Sequence, residues 1–326
     1  MKPITLSANQ PPARFYKGGE KISEFRGIGA AAPNTPEDWV GSTTSVRGQA
    51  PTGMTRLDSG ELLLDAIEKE PLKWLGPNHV ERFGSDCMLL VKLLDAGQRL
   101  PIHAHPDGEF AASYVASLHG KAEAWFILSP GTVYLSLKRD VPLAELSGLV
   151  DTQDISTLLP LMHELAVSPG DCIFVPHGVL HAIGEGVFLA EVQEPEDLSI
   201  LLEWEGFELD GSKDGHLGVG FDVALTAVET TARSRGDVER LIRRAVTQGN
   251  ALVEEASQYF RLDRVEQHTD FPAGFGIVIA LDSPIALTNA KGEKTKLSAG
   301  STTLMPFDAG PFSLEGSSLV ARPPLA

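Results

Sequence analysis

The chain has 326 residues, 42% of them hydrophobic and 22% charged, an ordinary balance for a globular protein with enough apolar material for a core divided between two domains. Its formal net charge of −17, from 27 basic and 44 acidic residues, comes with no lysine- or arginine-rich run. That argues against nucleic acid or an anionic membrane surface and leaves a small molecule as the expected partner. The N-terminus has no signal-type apolar region, and no stretch of about 18 apolar residues occurs, so the expected location is cytoplasmic. Cys87 and Cys172 lie in apolar runs without metal-type spacing and read as buried reduced thiols.

In chain order, short β-type runs dominate from about 83 to 137: CMLLVKLLDAG, then AEAWFILSPG and TVYLSLKRD. They are bounded by Gly, Pro and Asp, as strands of a sandwich or barrel are. Over 141–163, Leu143, Leu146, Leu149 and Val150 recur at helical spacing, and ISTLLPLMHEL follows as a second short helical piece. Strand character returns in HELAVSPGDCIFVPHG and GVFLAEVQ. Val238, Leu241, Ile242, Ala245 and Val246 then predict an amphipathic helix ending at Gly249-Asn250, the core of a helical connector over 236–258. From 259 the pattern is β again, and Gly300 stands six residues before Pro306 just as Gly170 stands six before Pro176. No histidine follows Pro306, which predicts a second β lobe without metal ligands. The expected division is a domain over 1–235 with a helical insertion near 141–163, the connector, and a lobe over 259–326.

The chemistry is concentrated in RLPIHAHPDGEF. Side chains alternate along a strand, so His103 and His105 share one face with Ala104 on the other. Two candidate carboxylates follow. Glu109 comes after a Pro-Asp-Gly turn, where an exposed acid is ordinary; Glu123 alternates with Trp125 and Ile127 on a strand where burying a carboxylate is costly unless it is paired or metal-bound. The alternation favours Glu123. Lys121 is in phase with Glu123, and Glu191 with Gln193. Downstream, Gly170, Pro176, Gly178 and His181 repeat a fixed spacing, and Gly97 stands six residues before His103.

These two motifs resemble those of the cupin superfamily, whose histidines and acidic residue bind one divalent metal inside a jelly-roll barrel. More closely, PEDWVGSTTSVRG, LLVKLLDAGQRLPIHAHPD, GKAEAWFIL, VSPGDCIFVPHGVLHAIGEGVFLAEVQE and LGVGFDVALTAVE follow one another as in the class I mannose-6-phosphate isomerases, especially the short bacterial form. The resemblance implies a mainly β fold of two cupin-like jelly-roll barrels with a small helical element. It also implies a metal-dependent aldose–ketose isomerase interconverting mannose 6-phosphate and fructose 6-phosphate or a related sugar; the alternative is a non-catalytic, metal-bound sugar-binding cupin. The implied ligands are His103, His105, Glu123 and His181, with His103 where the family commonly has glutamine. That donor set suits zinc best and also manganese, iron, cobalt or nickel. Lys121 and Lys92 map onto the family's active-site lysines, and Glu191 is the candidate general base. The family's arginine ten residues after that glutamate is replaced by Leu201, which predicts altered specificity unless Lys92, Arg233 or Arg235 supplies the missing cation.

Overall fold

The computed structural model describes all 326 residues, and its regular structure is mainly antiparallel β-sheet. Two pairs of sheets stack face to face. In the first pair, a six-stranded sheet contains Glu123–Ser129 flanked by Cys172–Val175 and Phe188–Gln193, with Leu90–Asp95 and Glu37–Val40 beyond. Its partner is a five-stranded sheet in which His103–Ala104 lies between Ile200–Leu201 and His181–Ile183. The central strands of the six-stranded sheet are buried on both faces, and they share one apolar cluster with Ile277, Ile279, Leu304 and Leu319 of the second sandwich. This explains why runs such as LVKLLD and EAWFI are almost continuously apolar instead of alternating. The second pair, six and four strands, closes over a separate cluster that includes Val265, Phe271, Val278, Ile285, Leu314 and Val320. Each pair is an open sandwich: the hydrogen-bonded order of every sheet has two ends, so the strands do not form one closed ring.

The helical insertion is present as Leu143–Asp151 and Ile155–Leu158, with Leu146 and Val150 facing the core. The helix predicted through Val246 is not. Only Arg235–Glu239 is helical, opened by a Ser234–Asp237 capping box. Ile242–Arg243 then pairs as a strand with Cys172–Val175, and the Val246 N–H donates to Gly170 O at 2.7 Å. Val238, Leu241, Ile242 and Val246 are buried as the pattern required, Ala245 is exposed, and sheet hydrogen bonds outcompeted propagation of a short helix. Helices Glu20–Arg26, Leu63–Lys69, Pro77–Phe83 and Gly108–Tyr114 add to the small helical content read from the sequence. None is long and apolar enough to cross a membrane.

The two sandwiches are tied together at both ends of the chain. Ile4–Leu6 pairs with Thr302–Met305 in the second sandwich, although the chain continues into the first. Gly300 is the tightest contact at this seam. It has φ +72°, and a Cβ there would stand 1.7 Å from the carbonyl oxygen of Phe25. Only glycine suits both the left-handed backbone and that approach.

Candidate metal centre and active site

His103 and His181 are directly paired on neighbouring strands, so their rings meet over the interior of the first sandwich. Gly178, with φ +75°, turns the chain between the Cys172–Val175 and His181–Ile183 strands and delivers His181 inward. His105 follows two residues after His103. All three imidazoles are buried, and their candidate ligand atoms lie within 4.8 Å of one another. Each is oriented by a main-chain carbonyl on Nδ1: His103 by Pro101 O at 2.8 Å, His105 by Leu198 O at 2.6 Å and His181 by Val179 O at 2.8 Å. A carbonyl only accepts, so each Nδ1 carries the proton and each Nε2 presents a lone pair. Burial, the largest influence on all three, keeps the rings neutral and pushes His105 and His181 down to about 3; Lys121 adds to the effect on His105.

Glu123 completes the cluster from the opposite sheet. Its Oε2 is 3.1 Å from His105 Nε2 and its Oε1 is 3.4 Å from His181 Nε2. These are contacts between acceptors, and His181 Nε2 has no hydrogen-bond partner at all. Such an arrangement is unfavourable unless a cation lies among the acceptors. The Lys121 ammonium supplies part of that charge, 2.6 Å from Glu123 Oε2 and 2.8 Å from His105 Nε2, while Trp125 Nε1 donates to Glu123 Oε1 at 2.9 Å. Burial acts to raise the Glu123 carboxyl, but Lys121 and His105 outweigh it and hold the group well below its ordinary range. Three imidazole lone pairs and a carboxylate fit a divalent ion, with the carbonyls that orient the rings already in place. Glu109 is exposed on the Gly108–Tyr114 helix and takes no part, as the alternation indicated.

The same cavity contains Glu191 and Lys92, cross-strand partners with Oε1 and Nζ 3.5 Å apart. Burial first, and then the nearby Glu123 charge, push the Glu191 carboxyl up to about 7. Lys92 stays charged because Glu37 and Glu191 outweigh the cost of burial. Leu201 lines this cavity and brings no charge to it. Neither suggested arginine replaces that charge: Arg233 is bound to Glu229 and Arg235 to Glu239, both away from the cavity.

The sequence reading missed one wall of the cavity. Arg14 and Tyr16 reach in from the N-terminal segment, with Glu37 and Asp197 around them. Tyr16 donates to Glu37 Oε1 at 2.5 Å and Trp39 Nε1 to Glu37 Oε2 at 2.7 Å; Arg14 is 3.3 Å from Glu37 and 3.5 Å from Asp197. The short run ARFYKGG carries no periodicity, and Arg14 is 183 residues from Asp197, so only the fold assembles the group. His119 and His177 pair instead with Asp86 and Glu194, at 2.7 and 2.6 Å, outside the histidine cavity.

Residues 21–127 match the family model of the phosphomannose isomerase type I catalytic domain. The mannose-6-phosphate isomerase of Streptococcus mutans is 29% identical over 186 residues, covering 55% of this chain and 54% of that protein. The Bacillus subtilis protein named "Probable mannose-6-phosphate isomerase GmuF" is 26% identical over 92% of both chains. The S. mutans match and that to B. subtilis ManA (45% of its length) thus span about half of those relatives. The crystal structure of the apo mannose 6-phosphate isomerase from Salmonella typhimurium superposes over 100% of both chains with a TM-score of 0.74 at 16% identity, a likeness of fold.

Proposed function

We propose that the chain is a type I phosphomannose isomerase and that it interconverts an aldose and a ketose, mannose 6-phosphate and fructose 6-phosphate being the first pair to test. The observation that carries this reading is the placement of the Glu191–Lys92 pair in the same cavity as His103, Glu123 and Lys121.

His103, His105, Glu123 and His181 would hold one divalent ion, and zinc suits three imidazoles and a carboxylate. When bound, the ion supplies Lewis-acid polarisation of the sugar oxygens. The remaining work falls to the chain. A carboxyl raised to about 7 can both accept and return a proton near neutral pH, so Glu191 takes the proton from the sugar's C2 and delivers it to C1. Lys92, opposite, stabilises the Glu191 carboxylate and offers its N–H groups to a sugar oxygen. Lys121, drawn into the cluster by Glu123 and His105, is placed to donate to an oxygen of the same reacting end. We also infer that the chain divides near 236–258 into this catalytic unit and a C-terminal lobe that binds no metal.

The direct test is isotope exchange at C1 and C2 in metal-reconstituted protein, with mannose 6-phosphate, fructose 6-phosphate and their unphosphorylated counterparts. Exchange that is lost in Glu191→Gln supports the reading; no exchange with any sugar by metal-loaded wild-type protein overturns it.

A further inference from the structure

Arg261 and Arg322 are direct cross-strand partners, because Arg261–Val265 pairs antiparallel with Ser318–Arg322 in the six-stranded sheet of the second sandwich. Directly opposed residues project from one face of a sheet, and like charges placed so are destabilising unless something neutralises them. That face carries Val265 and Val320 into the apolar interior, so the two arginines sit at the rim of a core. One carboxylate does part of the neutralising: Asp263, two residues along the same face, accepts from Arg322 Nη2 at 2.9 Å. No other carboxylate lies within 4 Å of either guanidinium. Burial, and then the Arg322 charge, bring Arg261 down to about 10. The pair is left with one positive charge in excess.

Most of its donors are also free. Arg261 makes one side-chain hydrogen bond, from Nε to Pro323 O at 2.7 Å, and neither of its Nη groups has a partner. Arg322 Nη1 has none either, and its guanidinium carbon is held 5.0 Å from the Phe271 ring centre. Gly276, on the neighbouring strand, makes room for this side chain: a Cβ there would stand 2.9 Å from Arg322 Cγ. The two arginines line a cavity of about 250 Å³ whose other walls include Pro272, Phe275, Phe307 and Pro324. It shares no residue with the cavity that holds Glu191 and Lys92. Two guanidinium forks side by side match the oxygens of a tetrahedral dianion, which takes the free nitrogens and cancels the surplus charge. The apolar walls suit a small organic body attached to that anion.

We propose that Arg261 and Arg322 form a second, non-catalytic binding site, in which the phosphoryl group of a small phosphorylated metabolite bridges the two guanidinium groups. A planar carboxylate carries less charge and one oxygen fewer, and is the poorer match. Asp263 holds Arg322 in position while opposing the ligand's charge. The site stands whether or not the chain is an isomerase.

The test is calorimetric titration of the full chain with inorganic phosphate, and with acetate in parallel, for wild type, Arg261→Gln and Asp263→Asn. The substrate cavity is the same in all three, so the difference between isotherms reports this site. Wild type is expected to bind phosphate about tenfold or more tightly than acetate, and Arg261→Gln to lose about tenfold or more in phosphate affinity. Asp263→Asn, which decides the matter if Arg261→Gln does not fold, removes the opposing charge and is expected to bind phosphate about threefold or more tightly than wild type. Wild-type protein that binds no phosphate, an isotherm unchanged in Arg261→Gln, or equal or weaker binding by Asp263→Asn overturns the site. Acetate binding as tight as that of phosphate overturns the phosphoryl assignment.

Discussion

Glu191 and Lys92 are opposed across two antiparallel strands, with carboxylate and ammonium 3.5 Å apart and both side chains buried. Lys92 opposes the rise that burial and the Glu123 charge impose, leaving the Glu191 carboxyl at about 7. Removing the carboxylate should therefore affect chemistry far more than folding. We expect Glu191→Gln to lower kcat by about 100-fold or more with little change in KM, the range of a lost general base. Steady-state kinetics on the exchanging sugar, with circular dichroism as a fold control, checks this; a kcat within threefold of wild type would remove Glu191 from the mechanism.

The histidine cluster makes a second expectation. His105→Ala and His181→Ala each delete an Nε2 lone pair facing Glu123, so both should lose bound divalent metal in elemental analysis of protein purified without added metal. A ligand that binds only the folded chain stabilises it by about 2.7 kcal/mol at a free concentration 100 times its Kd. Zinc should accordingly raise the melting temperature of wild type but not of these variants. Equal metal content in all three proteins would place the ion elsewhere.

Glu37 gives a stability prediction with a definite sign. Burial alone would raise its carboxyl; Arg14, Lys92 and the Tyr16 and Trp39 hydrogen bonds outweigh burial and bring it down to about 2 from an ordinary 4.5. A carboxyl lowered on folding adds stability that is complete above the unfolded value and disappears as pH falls through the folded one. The contribution, on the order of 3 kcal/mol, should thus fade between about pH 4.5 and 2. Urea unfolding at several pH values should show a shallower acid dependence for Glu37→Gln than for wild type. Parallel curves would refute the assignment.

In the C-terminal sandwich, His268 is exposed, and the nearest charged group to it is Asp270 at 3.4 Å. His268→Gln should leave metal stoichiometry and exchange activity within error of wild type. A halved metal content would mean that the second lobe holds an ion of its own.

How much of this was legible depends on whether a signal was local. His103, His105 and Glu123 declared themselves because a strand's two-residue period tells which side chains share a face, and the interior is where the structure puts them. The same logic distinguished Lys121, bonded to Glu123, from a solvated lysine at a strand end. The Val238–Val246 segment failed for an instructive reason: helical spacing reports which residues are buried, and a single helical turn followed by strand pairing buries four of the same five, all but Ala245. The Gly108–Tyr114 helix was hidden because its N-cap, Asp107, also belongs to a Pro-Asp-Gly sequence that reads as a turn. Arg14 had no local signature, since its surroundings are drawn from residues 37, 92 and 197.

The pairing of Ile4–Leu6 with Thr302–Met305 has a consequence for how the protein is made. The two strands are far apart in the chain, Ile4 pairing with Leu304, so the first is synthesised long before the second. Until the second sandwich is synthesised, the Ile4–Leu6 segment has no ladder to join, while the first sandwich can already assemble around its own strands. Closing such a distant pairing is entropically slow, so the Ile4–Leu6 strand should dock late. A bulky amino-terminal fusion would then retard completion of the carboxy-terminal sheet, leaving the Thr302–Met305 edge open to pairing with another nascent chain.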